Sequence, residues 1–280
     1  MHNYIIGVDG GGSKTHAILV NNNQIIDEVY SGPANIRTNI DTAYQSISDV
    51  ISQLIQKYNL SLDDTPIGIG VAGYSMIVNR ENLFNLLVKR FPQVKLESDC
   101  HIACLAAHNG HDGSVVICGT GIVGYYIEHN IGHQIGGWGF PHGDLGGGAW
   151  IGLELCRYTC KAIDEIIDWD PLLTTTFNNF QNSTKNFKMW LLQATPGDFA
   201  SITKLLLQYN HENCYYNKII NSATNEVRMF INAVIHQAPN SPLKITGGLA
   251  PIFLPQLKKH FSELELSENT PAFGACLLTF

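Results

Sequence analysis

Asp9-Gly10-Gly11-Gly12-Ser13-Lys14-Thr15 lies between two apolar runs, Tyr4-Ile5-Ile6-Gly7-Val8 and Ala17-Ile18-Leu19-Val20. Three consecutive glycines remove the Cβ atoms that would hold a backbone away from a ligand, so several N–H groups can converge on an anion. A Walker A loop requires adjacent Gly and Lys followed by a helix, whereas Ser13 precedes Lys14 here and the next residues read as a strand. A dinucleotide fingerprint fails on the same ground, because its third glycine opens a helix. The stretch is therefore a hairpin turn. It is either an ordinary tight turn, where glycine is favoured, or a phosphate cradle. Asp9 weighs toward the cradle: a carboxylate beside phosphates needs a cation between them, and magnesium is held by carboxylates and retained waters.

Outward from the hairpin, residues 3–9, 15–20 and 24–30 predict three strands, and Ser31-Gly32-Pro33-Ala34-Asn35 a loop. Apolar residues from Ala43 to Tyr58 recur at helical spacing, which predicts a long helix covering one sheet face. A strand over Pro66–Gly73, a helix over Arg80–Phe91, a strand over Val94–Glu97 and a short alanine-rich helix follow. The order then restarts at Gly113, where Ser114–Cys118 runs into Gly119-Thr120-Gly121 and a strand over Val123–Ile127. Strand, glycine turn, strand thus appears twice, which implies a nucleotide gripped between two halves.

Seven glycines crowd the segment from Gly136 to Gly148. Ordering so many is costly, which points to backbone brought close to a ligand. Ala149 to about His236 is mostly helical, like an insertion. Leu243–Thr246 reads as a last strand ending in Gly247-Gly248, and Pro271 opens a terminal helix. The expected division is an N-terminal α/β domain over 1–110 joined by the terminal helix 270–280, and a second domain over 111–269 with a helical insertion at about 150–240.

At 280 residues and 45% hydrophobic content the chain is long enough for a substantial core. A net charge of −7 and the lack of a basic run exclude a nucleic-acid partner. No apolar run approaches membrane-span length and no signal-peptide pattern is visible, so the expected location is cytoplasmic and away from the membrane. Seven cysteines imply reduced thiols. Cys100 and Cys104, and Cys156 and Cys160, are each four apart; they read as small buried residues, since zinc sites usually show Cys-x-x-Cys spacing. The scattered histidines suggest no ligand set.

Taken together, Asp9–Thr15, Ser98-Asp99, Gly119–Gly121, Gly137–Gly148 and Thr246-Gly247-Gly248 resemble the signature loops of sugar kinases in the actin, hexokinase and heat-shock chaperone superfamily. Ser31–Asn35 and Gly136–Pro141 further resemble the N-acetylglucosamine and glucosamine kinases, grouped with the BadF/BadG-type ATPases. The resemblance spans nearly the whole chain. It implies two ribonuclease H-like (actin-like ATPase) domains with an interdomain cleft, ATP and Mg2+ as cofactors, and a homodimer. The implied reaction carries the γ-phosphate of ATP to the 6-hydroxyl of N-acetylglucosamine or glucosamine. The rivals are a BadF-type activator ATPase, for which no glycine-flanked cysteine motif is seen, and a non-enzymatic sugar sensor, which would need a DNA-binding module that the early first strand leaves no room for upstream.

Carried over residue by residue, the resemblance implies that Asp9 holds magnesium through water. Gly10, Gly11, Gly12, Ser13, Lys14 and Thr15 would contact the nucleotide phosphates; Gly119, Thr120 and Gly121 would form the second phosphate hairpin. Gly247 and Gly248 match an adenosine loop. Asp99 matches the carboxylate at the hydroxyl to be phosphorylated, although a helix N-cap is the commonest use of Asp between strand and helix. At an ordinary aspartate pKa it would be a weak base. Gly137, Trp138 and Asp144 become sugar contacts, joined by Asn35, or by Asn39 if the loop register shifts; for Trp138 a core aromatic is the alternative. Leu145 stands where the family usually has Glu, Ile122 where a polar residue is common, and Ser13 where Thr is frequent.

Overall fold

In the computed structural model, which describes residues 4–209 and 212–280, β1 (Tyr4–Gly10) and β2 (Thr15–Asn21) pair antiparallel. Their register runs from Tyr4 opposite Asn21 to Gly10 opposite Thr15, leaving Gly11–Lys14 as the turn. Asn3, expected in the first strand, and Asn210 and His211, expected in the helical stretch, lie outside the described residues.

β3 (Gln24–Ser31) joins β2 antiparallel, while β4 (Ile67–Val71) and β5 (Val94–Ser98) add in parallel on the other side of β1. The order is β3-β2-β1-β4-β5. The crossover helices are α1 (Ile40–Tyr58) and α2 (Ile77–Arg90), and α3 (Asp99–Ala107) follows β5. β1 and β4 are buried and nearly all apolar or glycine, as central strands with parallel neighbours must be. Ile6, Val8, Ile69 and Val71 pack in one cluster with Ile47, Ile51 and Leu54 of α1.

The second sheet repeats this order. β6 (Gly113–Cys118), β7 (Ile122–Glu128) and β8 (Ile131–Gly136) form an antiparallel meander, and β9 (Leu243–Thr246) and β10 (Glu265–Leu266) continue in parallel beyond β6. Among the described residues five helices, α4 (Gly148–Ile163), α5 (Pro171–Asn178), α6 (Thr184–Gln193), α7 (Pro196–Leu206) and α8 (Cys214–Gln237), separate β8 from β9, and α9 (Ala250–Leu257) separates β9 from β10. The fold is thus two actin-like α/β sheets of one topology, as expected, with the duplication extending from the glycine turn to the whole sheet.

The structure departs from the expected elements in places. β8 occupies ground read as the start of the glycine-rich segment, because its first four residues are exposed and carry no apolar alternation. β10 has two residues, too few to show a pattern. α9 was hidden by Pro251 and Pro255, although Pro251 sits in the first turn, where no N–H donor is required. α2 starts at Ile77, three residues early.

α3 and α10 (Pro271–Leu277) tie the sheets together. α10 lies on β1 and β4 and against α3, while α3 touches β4 and β5 on one side and β6 and β7 on the other. Strand glycines allow this approach: a Cβ built on Gly7 or Gly68 would lie 2.0 Å from the Ala272 carbonyl oxygen or 1.7 Å from that of Ala275. Gly274 meets the Ile102 carbonyl at 1.9 Å on the same test. The N-terminal end of α3 is thereby fixed beside the C-terminal end of β1.

Candidate active site

The first hairpin closes through Gly11 N–H donating to the Lys14 carbonyl at 3.0 Å. Its tip, Gly12, Ser13 and Lys14, is exposed. Thr15 is buried, and its hydroxyl donates to the Gly32 carbonyl at 2.8 Å, which braces the hairpin. Lys14 places its ammonium 5.0 Å from the centre of the Tyr30 ring. The turn at 33–37 docks beside it: Ala34 N–H donates to Gly11 O at 2.9 Å, and Asn35 pairs with Ala72. Asn35 Nδ2 comes to 3.8 Å from a Cβ built on Gly12, so the amide sits at the cradle's edge. Asn39, its alternative, caps α1 by accepting from Thr42 N–H.

Asp9 closes β1, and Asp99 opens α3. Burial first, and then the charge of Asp99, lift the Asp9 pKa to about 7, against a smaller opposing pull from Lys14. Asp99 is also raised by burial, offset by the Cys100 N–H that its Oδ1 accepts at 2.9 Å. The cap of α3 is not Asp99 but Ser98, whose hydroxyl accepts His101 N–H at 3.0 Å. With the capping position filled, the Asp99 carboxylate has room for another role, and its raised pKa makes it a stronger base than an ordinary aspartate. Among the described residues no group of three or more His, Cys, Asp or Glu could hold a metal. A cation at Asp9 would therefore take most of its ligands from phosphate and water, as magnesium does.

In the second sheet three loops meet. Gly119–Gly121 forms the β6–β7 turn, with Gly119 N–H donating to Gly121 O at 2.9 Å. The 137–148 loop seats on it through Gly148 N–H to Gly119 O and Ala149 N–H to Thr120 O, both 2.9 Å. A Cβ on Gly147 would lie 2.7 Å from the Gly121 carbonyl carbon. The 247–249 loop arrives from β9: Leu249 N–H donates to Cys118 O at 3.0 Å, and Gly247, at φ +96°, leaves no room for a Cβ against that same carbonyl. Asp144, at φ +61°, turns its carboxylate onto Gly121, where a Cβ would lie 2.7 Å from Asp144 Cγ, and Asp144 Oδ1 accepts Ile122 N–H at 3.4 Å. Burial raises the Asp144 pKa, with Ile122 N–H and the Arg37 charge opposing. Gly137 holds φ +72° beside Gln134. Trp138 is 85% exposed, which removes the core-aromatic alternative.

A line of close approaches links the first hairpin to the glycine loop of the second sheet. Gly12 abuts Asn35, Asn35 Oδ1 accepts Arg37 N–H at 2.9 Å, and Arg37 Nη1 reaches 3.5 Å from a Cβ built on Gly139 of the opposite loop. The charge of Arg37 is felt at Asp144, which in turn touches Gly121. Arg37 did not stand out in the sequence; a lone arginine in a polar loop reads as a solvated side chain.

Gly12, Gly119 and Gly248, on three loops of the two sheets, are glycines that the protein's own packing does not require, as is Gly197 in the first turn of α7. A Cβ on Gly119 or Gly248 would meet nothing within 4 Å, and one on Gly12 would make only ordinary contact. None of the three has a positive φ. Each sits on a different loop, where the bare backbone is open to approach by a ligand.

A family model described as the BadF/BadG/BcrA/BcrD ATPase family matches residues 6–279. The chain belongs to this family. Among curated relatives of this family member, the glucosamine kinase of Vibrio cholerae is 30% identical over 242 residues, covering 84% of this chain and 81% of the relative. An N-acetylmuramic acid/N-acetylglucosamine kinase of Clostridium acetobutylicum is 25% identical over 98% of this chain and 97% of its own. Among solved structures, a protein assigned as an N-acetylglucosamine kinase from Chromobacterium violaceum superposes with a TM-score of 0.88 at 25% identity, over 100% of this chain and 99% of that one. Among the described residues no helix is long and apolar enough to cross a membrane.

Proposed function

We propose that this chain is an ATP-dependent amino-sugar kinase that transfers the γ-phosphate to the 6-hydroxyl of N-acetylglucosamine or glucosamine. The observation that carries the reading is a glycine hairpin in each of two sheets of one topology, with Gly12, Gly119 and Gly248 free of any internal clash that would demand glycine. A nucleotide's phosphates between the two hairpins, with its adenosine against Gly247 and Gly248, would use that bare backbone. The lobes that grip it are 1–110 with 270–280, and 111–269.

Asp9 is the residue to hold magnesium, since two withdrawn carboxylates side by side are relieved by a cation. Bound there, the ion would neutralise phosphate charge. Asp99 orients the sugar hydroxyl and accepts its proton as phosphoryl transfer proceeds, help worth about 10²- to 10⁴-fold in rate. Asn35 from one side, and Gly137, Trp138 and Asp144 from the other, contact the sugar; buried polar groups left unpaired by a lesser analogue give selectivity. Closing the lobes removes water, the competing acceptor. The relatives named for amino-sugar phosphorylation support this substrate class.

A coupled ADP-release assay across a sugar panel tests the proposal. Turnover that depends on N-acetylglucosamine or glucosamine supports it. Hydrolysis indifferent to sugar would favour an activator ATPase, and sugar binding without turnover a sensor.

A further inference from the structure

The turn that carries Arg37 is held from three directions. Its N–H is bound by Asn35 Oδ1 at 2.9 Å, the preceding Ile36 carbonyl accepts from Asn79 Nδ2 at 2.7 Å, and Ile36 N–H donates to Ala72 O at 3.0 Å. Gly73, at φ +83°, leaves the space: a Cβ there would lie 2.8 Å from Asn35 Oδ1 and 2.9 Å from Arg37 N. From this fixed base the side chain leaves its own lobe. Its Nη1 stands 3.5 Å from a Cβ built on Gly139, a residue at φ +88° in the glycine loop of the other sheet. The ion pairs formed among the described residues, His16 with Glu28, Lys57 with Asp27 and Arg157 with Glu154, leave Arg37 out. An arginine offers five donors on a planar fork, enough to bind loop carbonyls and a carboxylate at once.

We propose that Arg37 is a positioning residue of the sugar site, which holds the Gly139–Asp144 segment of the opposite lobe in place over bound substrate. The inference rests on the amino-sugar kinase reading. Asn35 and Arg37 share one turn, so a sugar seated on Asn35 is bordered by the guanidinium, and the guanidinium fixes the loop that closes the site from above. Its contribution is made to sugar binding and not to the nucleotide, whose cradle it does not touch. Glycine at 139 is called for by the φ of +88° that turns the loop toward the fork, since a Cβ there would make only ordinary contact with Nη1.

The test is steady-state kinetics of the full chain with N-acetylglucosamine and glucosamine, varying sugar and ATP in turn, for wild type, Arg37→Ala and Arg37→Lys. Arg37→Ala raises the sugar KM by about tenfold or more, with kcat and the ATP KM changed by less than about threefold, which is the pattern of lost binding. Arg37→Lys recovers part of the sugar KM, since charge returns without the fork. The thermal midpoint of both variants stays with wild type, because the side chain is exposed. A sugar KM unmoved in Arg37→Ala, or a rise shared equally by sugar and ATP, overturns the positioning role alone. A wild type inert toward every amino sugar overturns the kinase reading and this inference with it.

Discussion

Asp99 lies close enough to Asp9 for its charge to join burial in raising the Asp9 pKa to about 7. Two buried carboxylates, at the end of β1 and the start of α3, make the ligand-free protein a poor host for its own charges. With a pKa of about 7, Asp9 is partly protonated near neutral pH in the free protein.

Affinity for magnesium with nucleotide should therefore rise with pH. Asp9 must lose its proton to bind a cation, so binding weakens by about tenfold between pH 8 and pH 6 and releases a proton near neutrality. Calorimetry in buffers of different ionisation enthalpy reads this directly. Stability runs the other way: the native state binds more protons than the unfolded one, so the benefit is full below the ordinary aspartate pKa of 3.8 and is lost as pH rises through about 7. Asp9→Asn should raise the thermal midpoint of the ligand-free protein at pH 8 while abolishing magnesium-dependent nucleotide binding.

Glycine substitutions should divide into two groups. Gly119→Ala meets no atom of the protein, so it should melt as wild type does and lose nucleotide affinity by about tenfold or more, near 1.4 kcal/mol. Gly68→Ala drives a Cβ to 1.7 Å from the Ala275 carbonyl, and overpacking of this kind costs about 1–3 kcal/mol or more. Thermal melts and nucleotide titration of the two variants separate ligand glycines from packing glycines.

Trp138→Ala should leave the thermal midpoint almost unchanged, because an 85% exposed indole supports no core; surface changes usually stay within about 0.5 kcal/mol. Its cost should fall on the sugar KM, by about tenfold, with the ATP KM unmoved. Kinetics with each substrate varied separately checks the division.

How much of this was legible in the chain depended on whether a residue's role was local. The central strands announce themselves as apolar runs because both faces are covered, and the glycine turns because no other residue type is so concentrated. β8 was illegible because it is an exposed edge, and Pro251 disguised α9. In the site, the placement of Ser98 ahead of Asp99 was visible, but which of the two capped α3 needed the backbone. Thr15 shares the phosphate loop in sequence and faces Gly32 in space. Ile122, where the resemblance led one to expect a polar residue, is a core residue whose N–H binds Asp144. Arg37 acquires meaning only from Gly139, a hundred residues away by chain and beside it across the cleft.

The most direct test is Asp99→Asn, measured for amino-sugar-dependent ADP release and for ATP binding on the same preparation. If Asp99 receives the proton of the acceptor hydroxyl, turnover falls by about 10²-fold or more while ATP affinity stays within about twofold of wild type. Turnover near the wild-type rate would contradict the account, and would leave Asp99 as a residue that merely opens α3.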